Sequence, residues 1–146
     1  MDFSLLKAVI ALMPGSETDD QVVADWCNSP SVTQLKQTFI TTRTLMDKLG
    51  PQAATDILTK LETAAAGSSL LAKTLEMMSP AQGGIDVALD SVRFQLDDLA
   101  LNNVITEQEA NAIKAIGEYL VSPAESVGLP VITAQNVAFV RVNHDD

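Results

Sequence analysis

One cysteine, one histidine and six aromatic side chains in 146 residues leave this sequence short of the groups from which catalytic and cofactor sites are usually built. Cys27 has no second thiol to pair with, which excludes an intramolecular disulfide, and nothing in the cysteine usage points to an oxidising compartment. Its nearest charge is Asp25, which disfavours the thiolate, so Cys27 reads as a half-buried structural residue. His144 stands in a polar tail that ends Asp145-Asp146, where the fixed geometry of a general base is rarely supplied; it reads as a solvated surface residue.

Other sites fail on their spacing. Gly83-Gly84 belongs to neither GxGxxG nor GxxxxGK[ST], and Asp86 just after it would repel an anion. Asp97-Asp98, Asn102-Asn103 and Glu107-Glu109 have the look of a calcium loop, yet Leu99, Ala100 and Leu101 occupy the ligand places and the required glycine is missing. No carboxylate pair lies in an apolar or aromatic setting that would raise one pKa. The expectation is therefore no catalytic residues, no metal, no cofactor and no enzyme.

Positive charge is also scarce. Nine Lys and Arg stand against nineteen Asp and Glu, for a net charge of −10. The basic residues, Arg43, Arg93 and Arg141 among them, are too few and scattered to neutralise phosphates, and they read as members of surface ion pairs. The acidic residues are spread from Asp2 to Asp146, without the dense rows a DNA mimic needs. The apolar run Phe3–Met13 is too short to cross a bilayer. Asp2, Lys7 and Met13-Pro14-Gly15-Ser16 do not suit a secretory leader, so the run reads as a buried N-terminal helix. Neither nucleic acid nor membrane is expected as a partner.

What is present is aliphatic residues and helix punctuation. A core of Leu, Ile, Val, Ala and Met suits helix-on-helix packing, and the expected fold class is all-α, a compact multi-helix bundle of short capped helices. Phe3, Leu6, Ile10 and Met13 share one face of the first helix, which Pro14-Gly15 stops. Thr18 reads as the cap of a second helix packing through Val22, Val23 and Trp26, ended by Asn28-Ser29-Pro30. The β-branched stretch 31–40 is the one small, peripheral extended segment expected, although Ser31 with Gln34 would also make a capping box. A helix from Thr42 closes at Gly50. Pro51 opens the next, which buries Ala54, Ile57, Leu58 and Leu61. Another short helix carries Leu70, Leu71, Leu75 and Met78.

Ser79-Pro80-Ala81-Gln82-Gly83-Gly84 reads as a hinge, giving one domain, 1–146, with an N-terminal lobe 1–78 and a C-terminal lobe 85–142. Ile85, Leu89, Val92, Leu96 and Leu99 then recur at spacings of four and three, an apolar seam on what should be the longest helix, ended by Asn102-Asn103. Three caps follow. Thr106 with Glu109 opens a helix running through Leu120, Ser122-Pro123 with Glu125 opens a single turn ended by Gly128, and Thr133 opens the last helix. Val104-Ile105-Thr106 and Val131-Ile132-Thr133 are two uses of one capping solution.

The run Val104-Ile105-Thr106-Glu107-Gln108-Glu109-Ala110, then Ser122-Pro123-Ala124-Glu125-Ser126-Val127-Gly128-Leu129-Pro130-Val131, then Asn136-Val137, resembles the C-terminal end of small minor structural or tail-associated proteins of tailed bacteriophages. Asn28-Ser29-Pro30, Arg43-Thr44-Leu45 and Leu49-Gly50 fit the same shape more loosely. Asn136 stands where that pattern has Asp, and Val140-Arg141-Val142 is more β-like than its end. The resemblance implies a non-enzymatic minor virion component of the tail, tail fibres or neck, assembled in the host cytoplasm and bound to other phage structural proteins. The alternative is a soluble helper outside the virion, an assembly chaperone or an inhibitor of a host factor. Docking would use Phe3, Leu6 and Ile10 of the first helix, or the seam Ile85, Leu89, Val92, Leu96 and Leu99, and an outward seam would also drive homo-oligomers.

Overall fold

A computed structural model describes residues 1–142. Its elements run α1 (Phe3–Ala11), α2 (Asp20–Asn28), β1 (Val32–Leu35), β2 (Phe39–Ile40), α3 (Thr42–Leu49), α4 (Pro51–Ala65) and α5 (Ser69–Met77). A 3-10 turn (Pro80–Gln82) leads to β3 (Ile85–Asp86), α6 (Asp90–Leu101), α7 (Glu107–Ala115), β4 (Glu118–Val121), α8 (Pro123–Ser126) and α9 (Ala134–Val142). The chain is mostly helical with a few short strands, a mixed fold compatible with a helical bundle and not purely all-α. β1 pairs with β4, and β2 pairs antiparallel with β3 through Phe39 opposite Asp86 and Ile40 opposite Ile85.

Two compact units form, and the boundary is not at 79–84. One unit is Met1–Gln34 together with the chain from Leu120 on; the other is Leu35–Tyr119. The expected hinge lies inside the second unit and is held there. Gly84 takes φ +91°, its N–H donates to Met77 O, and a Cβ on it would overlap the Ile40 carbonyl. Gly84 thus makes a close backbone approach, while Gly83 before it supplies a left-handed turn at φ +87° with open space around it.

In the first unit, Asp2 caps α1 by accepting the Leu5 N–H, and Asp19, not Thr18, caps α2. Leu6, Val9, Val23, Ala24, Cys27, Ala124, Leu129, Ile132, Val137 and Val140 make its core. The buried face of α2 is thus Val23, Ala24 and Cys27, while Val22 is exposed. The last helix forms despite the β-like Val140-Arg141-Val142, because Thr133 and Asn136 cap it reciprocally. The Asn136 N–H donates to Thr133 Oγ1, and Asn136 Oδ1 accepts the Thr133 N–H. Arg141 then reaches back from α9 to Asp20 and to the carbonyls of Glu17 and Thr18.

The second unit packs α3 to α7 around Ile40, Leu45, Ile57, Leu61, Val87, Leu96, Ile105 and Ile113. The extended segment at 31–40 exists as two short strands: β1 alternates half-buried and exposed residues, and β2 ends at Ile40, which is fully buried in this core. The helix expected from Ile85 begins only at Asp90. Asp86 Oδ1 accepts the N–H of Ala88, an Asx-type turn, and also that of Thr38 across the strand pair, which holds Ile85–Asp86 extended. The longest helix is therefore α4, opened by Pro51 as expected. The helix after Thr106 stops at Ala115, short of Leu120, and β4 follows.

Candidate interaction surface

α6 is fixed to its own unit along three sides. Leu96 is buried at its core face, with Val92 and Leu99 packed beside it. On one flank Arg93 pairs with Glu118 and donates to the carbonyls of Val87 and Lys114. On the other, Gln95 Nε2 donates to Thr74 Oγ1 of α5 at 3.2 Å. An α-helix turns about 100° per residue, so residues seven apart lie on one face. Phe94 and Leu101 are such a pair and lie opposite Leu96. They are 73% and 80% exposed, among the most exposed large apolar side chains of the described residues.

Carboxylates border this stripe. Asp90 and Asp97 fall on its α7 side and Asp98 on its α5 side, all exposed. Asp97 is neutralised by Lys114 of α7 at 2.6 Å, whereas Asp90 and Asp98 make no ion pair within 4.0 Å among the described residues. Between α6 and α7 runs an open groove of about 530 Å³ with Ala100, Leu101 and Ala110 along its apolar part and Asp97, Glu107 and Lys114 among its polar groups. α7 stands where it does because Thr106 and Glu109 form a capping box and Glu109 also pairs with Lys60 of α4 at 2.8 Å. Burial alone would raise the Glu109 pKa; the Lys60 hydrogen bond and charge and the Thr106 N–H outweigh it and hold the carboxyl below its ordinary value.

The residues expected to dock are mostly core. Leu6, Ile85 and Leu96 are buried, and Phe3, Ile10, Val92 and Leu99 are half-buried against the two cores. Phe3 packs against Phe139 with ring centroids 4.3 Å apart and planes tilted by 38°. Leu89 alone of the eight is exposed, and it precedes α6 as its N-cap. Phe94 and Leu101 lie off the Val92, Leu96 and Leu99 seam, and an apolar periodicity singles out the face that packs on the core and not the face opposite it. The available signal was Phe94 with Leu101, an apolar pair seven apart that the Val92, Leu96 and Leu99 seam does not include.

Cys27 is fully rather than half buried, and burial pushes its thiol pKa up, away from nucleophilicity. His144 lies outside the described residues. Among the described residues no three His, Cys, Asp or Glu side chains are grouped to hold a metal ion, and no helix is long and apolar enough to cross a membrane. The apolar cavity between α5 and α6, about 20 Å³, is no larger than the space of a single water. No family model matches the chain, nor does any curated protein or solved structure.

Proposed function

We propose that this is a non-enzymatic bacteriophage protein, a minor virion component of the tail, tail fibres or neck, that acts by docking on other phage proteins. The setting rests on the C-terminal resemblance. The mode of action rests on one observation, the pairing of Phe94 and Leu101 on the solvent face of a helix whose other faces are all held. Isolated exposed apolar residues are ordinary; two on one rigid helix face beside an open groove of mixed polarity suit a partner surface. The docking stripe is thus the outer face of α6, replacing the inner seam that sequence periodicity pointed to.

Mass spectrometry of purified phage particles tests this reading. The chain should be recovered with the particles at a fixed ratio to the tail proteins. Its confinement to the soluble lysate would sink the virion assignment and favour the helper.

A further inference from the structure

We infer that the occupant of the α6 face is a cationic amphipathic segment of another protein, an apolar side chain seated by Phe94 and Leu101 with Lys or Arg on either side of it. This rests on the docking reading above and specifies its partner. The stripe is apolar for one turn and carboxylate for the next: Asp90, Phe94, Asp98 and Leu101 follow one another along the helix at spacings of four, four and three. Residues at such spacings are neighbours on a helix surface, so each apolar side chain has a carboxylate one turn away.

The balance of charge around the stripe chooses the partner. Asp90, Asp97, Asp98 and Glu107 lie on or beside it. Of the cations beside it, Lys114 is occupied by Asp97, and Arg93 by Glu118 and two carbonyls. That leaves Asp90, Asp98 and Glu107 without an ion-pair partner among the described residues. Complementary potentials set partner choice at such surfaces, and like charges brought face to face are penalised. A second copy of this chain in a two-fold contact would bring its own Asp90 and Asp98 onto the same face and add no free cation to it, which argues against self-association here. Apolar anchors flanked by cations at i, i+3, i+4 and i+7 are what a helical segment of a basic partner presents.

The test uses the full chain and three labelled peptides in fluorescence anisotropy. The first is an amphipathic helix with a Leu stripe flanked by Lys and Arg, the second the same helix with Glu for every Lys and Arg, the third the first in scrambled order. The basic amphipathic helix should bind, at least about tenfold tighter than either control, and should weaken as NaCl is raised from about 50 to 500 mM. Phe94→Ser with Leu101→Ser should weaken it at least about tenfold, and so should Asp90→Asn with Asp98→Asn. Both double variants change exposed side chains only. Equal binding of the basic and acidic helices, failure of the basic helix to bind, or indifference to either double variant overturns the inference. So does a dimer in light scattering that the Phe94→Ser, Leu101→Ser variant dissociates, since the face would then belong to a second copy. Particle recovery is measured separately, so a protein that binds the basic helix but is absent from particles retains this inference and loses the virion reading.

Discussion

Asn28 is tied to Ile132 by two hydrogen bonds across 104 positions of sequence: its Nδ2 donates to the Ile132 carbonyl at 2.7 Å, and its Oδ1 accepts the Ile132 N–H at 2.8 Å. One side-chain amide thus satisfies both backbone groups of a buried residue, fastening the end of α2 to the stretch that leads into α9. Ile132 is buried, so neither group has ready access to water.

Asn28→Ala should therefore lower the stability of the first unit by about 2 kcal/mol or more, two hydrogen bonds lost and two backbone groups left unsatisfied. Asn28→Asp, which can accept but not donate, should fall between Ala and wild type. Trp26, the single tryptophan, sits in α2 and reports this unit in urea titrations followed by fluorescence. A wild-type midpoint in Asn28→Ala would show that the clamp carries no weight.

Gly84 and Gly128 both take positive φ, at +91° and +79°, but only at Gly84 does an added Cβ meet backbone. Gly128→Ala should cost about 1 kcal/mol for the left-handed conformation, and Gly84→Ala about 3 kcal/mol or more, because the Ile40 strand must also shift. Thermal unfolding of the two variants by circular dichroism compares them. Equal losses would mean that β2 yields freely and that 79–84 is a soft joint after all.

α6 should divide sharply under alanine substitution. Leu96→Ala should cost about 2 to 5 kcal/mol as a core truncation, while Phe94→Ala and Leu101→Ala should each stay within about 0.5 kcal/mol. Chemical denaturation of the three variants decides which face of the helix is core. A large loss at Phe94 would assign that ring a structural contact and remove it from the docking stripe.

Glu109 supplies a pH dependence whose sign follows from its lowered pKa. The folded carboxyl holds its proton less tightly than the unfolded one, so its contribution is fully present above the unfolded value, about 4.3. It is lost as the pH falls below that value and through the folded pKa. Glu109→Gln should therefore be less stable than wild type at neutral pH, the gap closing on acidification below about pH 4. Denaturation midpoints of both proteins between neutral and acid pH measure it, and a gap independent of pH would remove the Lys60–Glu109 pair as its origin.

The caps were the legible part of the sequence. Gly50-Pro51, Thr106 with Glu109, Ser122-Pro123 and Thr133 each open or close a helix where local chemistry says they should. Asn103, at φ +60°, ends α6 in the left-handed conformation expected of Asn102-Asn103. Ile105 and Ile132, the middle residues of the repeated Val-Ile-Thr, are both buried, each in a different unit. What stayed hidden depends on distant partners. Gly117 separates α7 from β4 at a point where an added Cβ would come within 2.7 Å of Val87 Cγ1, a neighbour thirty positions upstream. Asp86 stops a helical hydrophobic repeat through a local Asx-type bond to Ala88 and a distant one to Thr38, and the second could not be read from local sequence. The interleaving of Met1–Gln34 with the C-terminal segment is likewise a property of long-range packing, here the Asn28 and Arg141 contacts, and punctuation at 79–84 could not reveal it. What marks the stripe is the exposure of Phe94 and Leu101, which depends on what packs against the opposite face of α6 and not on where the helix starts.

The central claim is that the outer face of α6 docks this protein onto a phage particle. Its most direct measurement is quantitative mass spectrometry of particles assembled with wild-type protein or with the Phe94→Ser, Leu101→Ser variant, both folded and equally abundant in the lysate. The account predicts wild-type protein at a fixed ratio to the tail proteins and the variant reduced at least about tenfold. Equal recovery of the two proteins in purified particles would contradict it.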